Sequence, residues 1–257
     1  MFFVSAVPLA PVAVALATGL MGGALSGLFG AGGGAILVPL LRLFLGLGQH
    51  RAQGLTLAAL MLPSGLPAMI HYHRRGHAMP WALASWLSLG FLPGVWAGAR
   101  AACGLPEGPL RGAFTAFLVL LAAGSLRSAR GLAAARERPP PLWKGALAGL
   151  LGGAASGLFG IGGGVVMIPL LAGWVGLSQH RAQVVSLVVM VLPIRLPGLM
   201  VYLRGWTGFP GATLAGLSGG FAFGGYLGAR LATALPEPVL KRGYAVLLVL
   251  SAVLVAM

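Results

Sequence analysis

The chain has 257 residues, 58% of them hydrophobic and only 8% charged, with a mean hydropathy of +0.94. A water-soluble domain carries roughly a quarter charged residues, so this composition excludes one and predicts an all-α, polytopic integral membrane protein in contact with the lipid bilayer. The net charge of +14 sits at the ends of apolar runs and in one linker, as the positive-inside bias requires. No basic-aromatic motif accompanies it, so no nucleic acid is expected as partner. The only acids are Glu107, Glu137 and Glu237, none inside an apolar run. A pathway without intramembrane carboxylates suits anions better than cations.

In chain order, apolar segments are predicted at about 7–29, 35–48, 54–70, 81–99 and 109–126, and again 130 residues later, giving about 8–10 membrane segments. The first lacks a basic leader and aligns with the interior stretch 146–160, so it reads as a retained span rather than a signal peptide. It runs into "GLFGAGGGAILVPLL", 27–41. The second segment covers only ~21 Å as a helix, and Pro39 interrupts it; it crosses as a broken helix or dips in and returns. "QHRAQ", 49–53, then leads into the third span. One reading is a capped, hydrated turn at the membrane surface. The other makes Gln49, His50, Arg51 and Gln53 a vestibule or gate, with the imidazole as a proton-coupling group. "HYHRRGH", 71–77, has three histidines, but no acid or cysteine completes a metal site. It reads as an interfacial cytoplasmic loop, and neither metal nor cofactor is expected. Cys103 is the only cysteine, which leaves no disulfide framework.

The organising feature is a duplication. Residues 22–41 and 152–171 are identical at 14 of 20 positions. The same offset pairs Pro63 with Pro193, Tyr72 with Tyr202, Gly94 with Gly224, and "QHRAQ" with its copy Gln179, His180, Arg181, Gln183. The chain therefore divides into a membrane repeat 1–126, a basic proline-rich linker 127–144 and a second repeat 145–257. Five crossings per repeat invert the second copy; four leave it parallel. With five, 11 bases share the linker's side and 4 (Arg51, Arg100, Arg111, Arg204) lie opposite; with four, the split is 8 against 7. The positive-inside rule favours inversion, with a cytoplasmic linker in a multi-pass cell-membrane protein.

The glycine stretches admit three mechanisms. A nucleotide loop lacks the Lys-Ser/Thr, the preceding strand and the later acid it needs. Small residues for close helix packing fit "GGALSG", 22–27, and "GGAASG", 152–157. A discontinuous helix at membrane depth accounts for the motif as a whole: two breaks facing each other make an anion site from exposed backbone N–H groups. Its candidates are Gly32, Gly33, Gly34, Gly162, Gly163 and Gly164, with Ser26 and Ser156 just before the breaks. Arg195, between Pro193 and Pro197 where the first copy has Gly65, is the leading single anion-binding candidate. The alternative is that it snorkels or meets carbonyls freed by the flanking prolines. Arg42 lies nearer a segment end, where snorkelling competes with function.

"GLFGAGGG…P" and "GLFGIGGG…P", each followed by "QHRAQ" and later by "LPGVWAGAR" or "AFGGYLGAR", resemble the TauE/SafE family of membrane transporters over essentially the whole chain. That resemblance implies a secondary transporter of sulfite, sulfoacetate or related sulfur-containing anions, not an enzyme. It would work by alternating access, with a proton or Na⁺ as coupling partners and a homodimer as a fitting assembly. An anion channel is the alternative, and an intramembrane enzyme the more distant one, since no carboxylate orients the histidines at span depth.

Overall fold

The computed structural model describes residues 9–29, 33–61, 81–127, 141–177, 179–204, 206, 211–232 and 237–256. Gly32, the His71–His77 segment, linker residues 128–140 and the side chains of Gln179, His180 and Gln183 lie outside the described residues. The described chain is helical and without strands: α1 Leu9–Phe29, α2 Gly34–Leu45, α3 Gln49–Ala59, α4 Trp81–Gly104, α5 Glu107–Arg127, α6 Leu142–Phe159, α7 Gly164–Leu170, α8 Gln179–Val191, α9 Leu196–Leu203, α10 Gly211–Ala232 and α11 Glu237–Ala256. A π-helical turn, Leu171–Val175, extends α7. Val12–Phe29 and Trp81–Gly104 are long and apolar enough to cross a membrane. Leu89, Leu120, Phe223 and Leu250 are turned outward, as a lipid-facing surface requires.

Two helix pairs dominate the packing, α1 with α10 and α4 with α6. Each joins the first long helix of one sequence copy to the fourth of the other. Glycines make both contacts. A Cβ at Gly90, Gly94 or Gly98 would overlap backbone at Ala146, Leu150 or Ala154. One at Gly220, Gly224 or Gly228 would overlap Leu16, Leu20 or Ala24. In each pair the contact positions climb together, so the paired helices run in the same direction. Without side chains between them the backbones approach until dispersion and Cα–H···O contacts replace a hydrophobic drive that lipid does not supply. Gly23 of "GGALSG" and Gly153 and Gly157 of "GGAASG" thus serve the close packing read from the sequence, and the "GAR" glycines Gly98 and Gly228 join them. The equivalent helices α5 and α11 instead lie antiparallel. Arg111, in the first turns of α5, donates from Nε to Val255 O at 3.1 Å and from Nη2 to Ala256 O at 3.1 Å, at the end of α11. Arg42 donates to the same Val255 carbonyl at 2.7 Å, which gives it the role of capping a helix C-terminus.

The short second segment forms a hairpin with the first helix of its copy. The Cβ position of Gly22 faces Leu37 Cδ1 at 2.9 Å, and that of Gly152 faces Met167 Cγ at 2.9 Å, so α2 doubles back along α1 and α7 along α6. The third predicted span needs correction. Its second copy, 184–200, is two helices, α8 and α9, separated at Leu192–Arg195. Pro193 has no N–H to give and forces Leu192 out of the helical region, while Pro197 is accepted in the first turn of α9. The "QHRAQ" motif is also not a hydrated turn. It opens α3 and, in the second copy, α8, and Gln49 and Gln53 are fully buried while Arg51 on the other face is exposed.

Candidate functional site

The site grows from the two glycine breaks. α6 ends at Phe159, and Gly160 closes it at φ 68 with its N–H on Ser156 O at 2.8 Å. Gly162 (φ 75) and Gly163 (φ 88) then carry the chain through left-handed backbone to Gly164. In the first copy Gly33 has φ 74, and α2 starts at Gly34. The carbonyls of Gly33 and Gly163 accept the matching N–H groups, Leu37 and Met167, each at 2.9 Å. Only glycine adopts this backbone at little cost. The two breaks touch: a Cβ on Gly34 would overlap the backbone of Ile161. Phe221 covers Gly33 and Phe91 covers Gly163, and these phenylalanines are themselves 130 residues apart.

Arg195 caps α9 and is 5% exposed. Its Nε donates to Gly162 O at 3.1 Å and its Nη1 to Leu60 O. The guanidinium thus ties the second break to the end of α3, from the other sequence copy, using carbonyls left unpaired by non-helical backbone. No carboxylate reaches it among the described residues, so a cation is held beside the breaks in low-dielectric surroundings.

A cleft of about 780 Å³ opens where the start of α3, the ends of α4 and α9 and the start of α5 converge. Arg51, Arg100 and Arg204 line it with His50, Cys103 and Glu107. His50 Nε2 is 2.9 Å from Ala102 O; a carbonyl only accepts, so Nε2 carries the hydrogen. Nδ1 then faces Glu107 Oε1 at 3.7 Å, so a proton on that nitrogen makes the contact attractive.

Tyr202 lies at the inner side of the cleft, with its hydroxyl 2.9 Å from Gln53 Oε1 and 2.7 Å from Gly157 O. One hydroxyl proton cannot serve two acceptors. It donates to one oxygen or the other, and in both cases the Gln53 Nε2 amide is left without a partner. The Cβ position of Gly160 falls on Gln53, so this hydrogen-bonded bar separates cleft from break. Tyr202→Phe strands two buried groups and is expected to lower stability by about 1–3 kcal/mol, read as a shift in thermal unfolding of the purified protein.

Along the same face of α3 and on α6 lie polar groups without partners. Gln49, Gln53, Thr56 and Ser156 are all 0% exposed. Unpaired among the described residues are both ends of the Gln49 amide, Gln53 Nε2, Thr56 Oγ1 and Ser156 Oγ, with Thr115 Oγ1 of α5 the remaining one. Of the residues proposed from the sequence, Gln53 lies against Gly160, Ser156 is one turn before that glycine, Arg195 bonds to Gly162, and His50 and Arg51 line the cleft. Ser26 is half-buried on α1, and Arg181 is exposed on α8. Sequence reasoning passed over Thr56 and Tyr202. The signal for Tyr202 was its copy Tyr72, and for Thr56 its spacing from Gln49 and Gln53 along one helix face.

A family model described as Sulfite exporter TauE/SafE matches residues 15–255. No curated protein and no solved structure matches the chain.

Proposed function

The chain belongs to the sulfite exporter TauE/SafE family, a family of membrane transporters, and from that premise we propose that it is a secondary transporter of small sulfur-containing anions. Sulfite and organosulfonates such as sulfoacetate are the substrates, and alternating access of two inverted repeats around the paired breaks is the mechanism. The observation that carries this reading is the line of positive groups leading inward. Arg51, Arg100 and Arg204 gather in one cleft, the Tyr202 bar closes its floor, and behind the bar the buried Arg195 stands at the break. Such a cleft draws anions in by its field.

Inversion is supported twice. The equivalent helices α5 and α11 are antiparallel, as a two-fold axis in the membrane plane requires. Arg204 shares a cleft with Arg51 and Arg100, the grouping that five crossings per half demand and four forbid. On that topology the cleft opens on the side opposite the linker, away from the cytoplasm of the cell membrane. His50 with Glu107 is the site for a coupling proton, with Na⁺ as the other coupling ion to try, and a homodimer as the working assembly.

The test is flux. Proteoliposomes holding the purified chain should exchange labelled sulfite or sulfoacetate well above protein-free liposomes. Background flux for both anions, in both directions and with either a proton or a Na⁺ gradient, would sink the proposal.

A further inference from the structure

We propose that the anion is held chiefly by neutral hydrogen-bond donors on one face of α3, formed by Gln49, Gln53 and Thr56 with Ser156 opposite, rather than by ion pairing with Arg195. This rests on the transport reading above and names the groups that recognise its substrate.

Three observations carry it. First, these four side chains are fully buried and hold five polar atoms with no partner among the described residues. Buried polar groups in native proteins are nearly always paired, and a cluster of exceptions points to a ligand or water. Gln53 cannot be rescued by turning its amide, since one end or the other stays unpaired beside Tyr202.

Second, the groups form a connected path. Residues 49, 53 and 56 follow helical spacing along one face of α3. Gln49 lies between cleft residues Gly48 and His50. Gln53 abuts Gly160, and Ser156 is one turn before that glycine on α6. One turn beyond Thr56 is Leu60, whose carbonyl receives Arg195. The face therefore runs from the cleft to the second break.

Third, the duplication keeps the polar positions of this face, along with His50, Arg51, Ala52 and Leu57. α3 reads "QHRAQGLTLAA" and α8 reads "QHRAQVVSLVV". Its polar positions recur as Gln179, Gln183 and Ser186, and Ser156 matches Ser26, while the apolar positions 54, 55, 58 and 59 all change. Packing alone would not preserve hydroxyl for hydroxyl where it lets glycine and alanine become valine.

The ligand class follows from the donors and the field. Amide N–H₂ and hydroxyl groups spaced over two helical turns suit a compact oxyanion with several acceptor oxygens, a sulfite or a sulfonate head. Amide and hydroxyl oxygens could also ligate a cation, but the charges at the two ends of the path are Arg51, Arg100 and Arg204 against the single Glu107 outside and Arg195 inside. Arg195, already donating to two carbonyls, contributes its charge while the α3 face contributes the hydrogen bonds. Neutral donors bind without fixing the anion in a strong ion pair, which a transporter must release.

The experiment uses the full chain with Thr56→Val and Ser156→Ala, both close in shape to the original residue, and Thr56→Ser as the conservative variant. Labelled sulfite and sulfoacetate are tested in turn in proteoliposomes, and the thermal midpoint is read with and without each anion. Losing one hydrogen bond to a charged ligand should raise KM about tenfold or more while kcat changes less. Thr56→Ser should stay near wild type. The apo midpoint of Thr56→Val should hold or rise, because an unpaired buried hydroxyl has been removed, and its anion-induced rise should shrink. If wild type transports and is stabilised by the anion while Thr56→Val and Ser156→Ala keep its KM and its midpoint shift, the α3 face is not the site. If wild type neither transports nor responds to either anion, the transport reading fails and this assignment fails with it.

Discussion

A Gly34→Ala variant should lose about 3 kcal/mol or more of stability and yield no transport-competent protein, measured by thermal unfolding in detergent and by flux. The cause is steric. Gly34 is helical, so alanine suits its backbone, but the new methyl would overlap the backbone of Ile161 in the opposite break. Overpacking costs typically 1–3 kcal/mol when side chains can shift. Here the obstacle is main chain held by left-handed residues on either side, Gly160 and Gly162, so relief requires the two breaks to part. Gly112→Ala in α5, where nothing lies within 4 Å, is the control. It should leave transport intact and gain up to about 1 kcal/mol from helix propensity.

Arg195→Ala should lower flux to background and cost about 2–4 kcal/mol. Two buried carbonyls, Gly162 O and Leu60 O, lose their donor, at about 1–3 kcal/mol each. Relief of the cost of burying a cation returns part of that. Arg195→Lys separates the two roles of the side chain. An ammonium keeps the charge and can reach a carbonyl but lacks the planar fork. If the charge is what the anion senses, Lys restores a measurable fraction of flux while stability recovers only in part. Flux as low as with Ala, in a variant as stable as wild type, would instead make the guanidinium geometry decisive.

The class of the protein was open to reading because its determinants are local. A run of apolar residues or a glycine break names itself, and the exact repetition of "QHRAQ" announced that both halves share a fold. The repeat offset also holds for features visible only in three dimensions, such as Phe91 and Phe221 covering matching glycines. What escaped was decided by partners distant in sequence. "QHRAQ" looked like a surface turn because it is polar, and only its packing makes it a buried helix start. For Arg195 the sequence offered an anion ligand or backbone carbonyls as partners, but not which carbonyls, because its acceptors lie 33 and 135 residues away. Thr56 drew no attention because a lone threonine in an apolar helix usually bonds back to its own main chain.

The glycine-lined pairing of α1 with α10 bears on how the protein is made. α1 ends at residue 29 and its partner begins at residue 211, so at ordinary elongation rates α1 waits on the order of 10–40 s for the helix it packs against. In that interval its bare glycine face meets lipid or a chaperone, and α4 is ready for α6 far sooner. The membrane therefore receives the middle of the molecule as the first assembled unit, and the N-terminal helix, first inserted, is among the last to be locked. Neither half carries the partner of its own opening helix, so the duplicated units depend on each other for assembly as well as for the site.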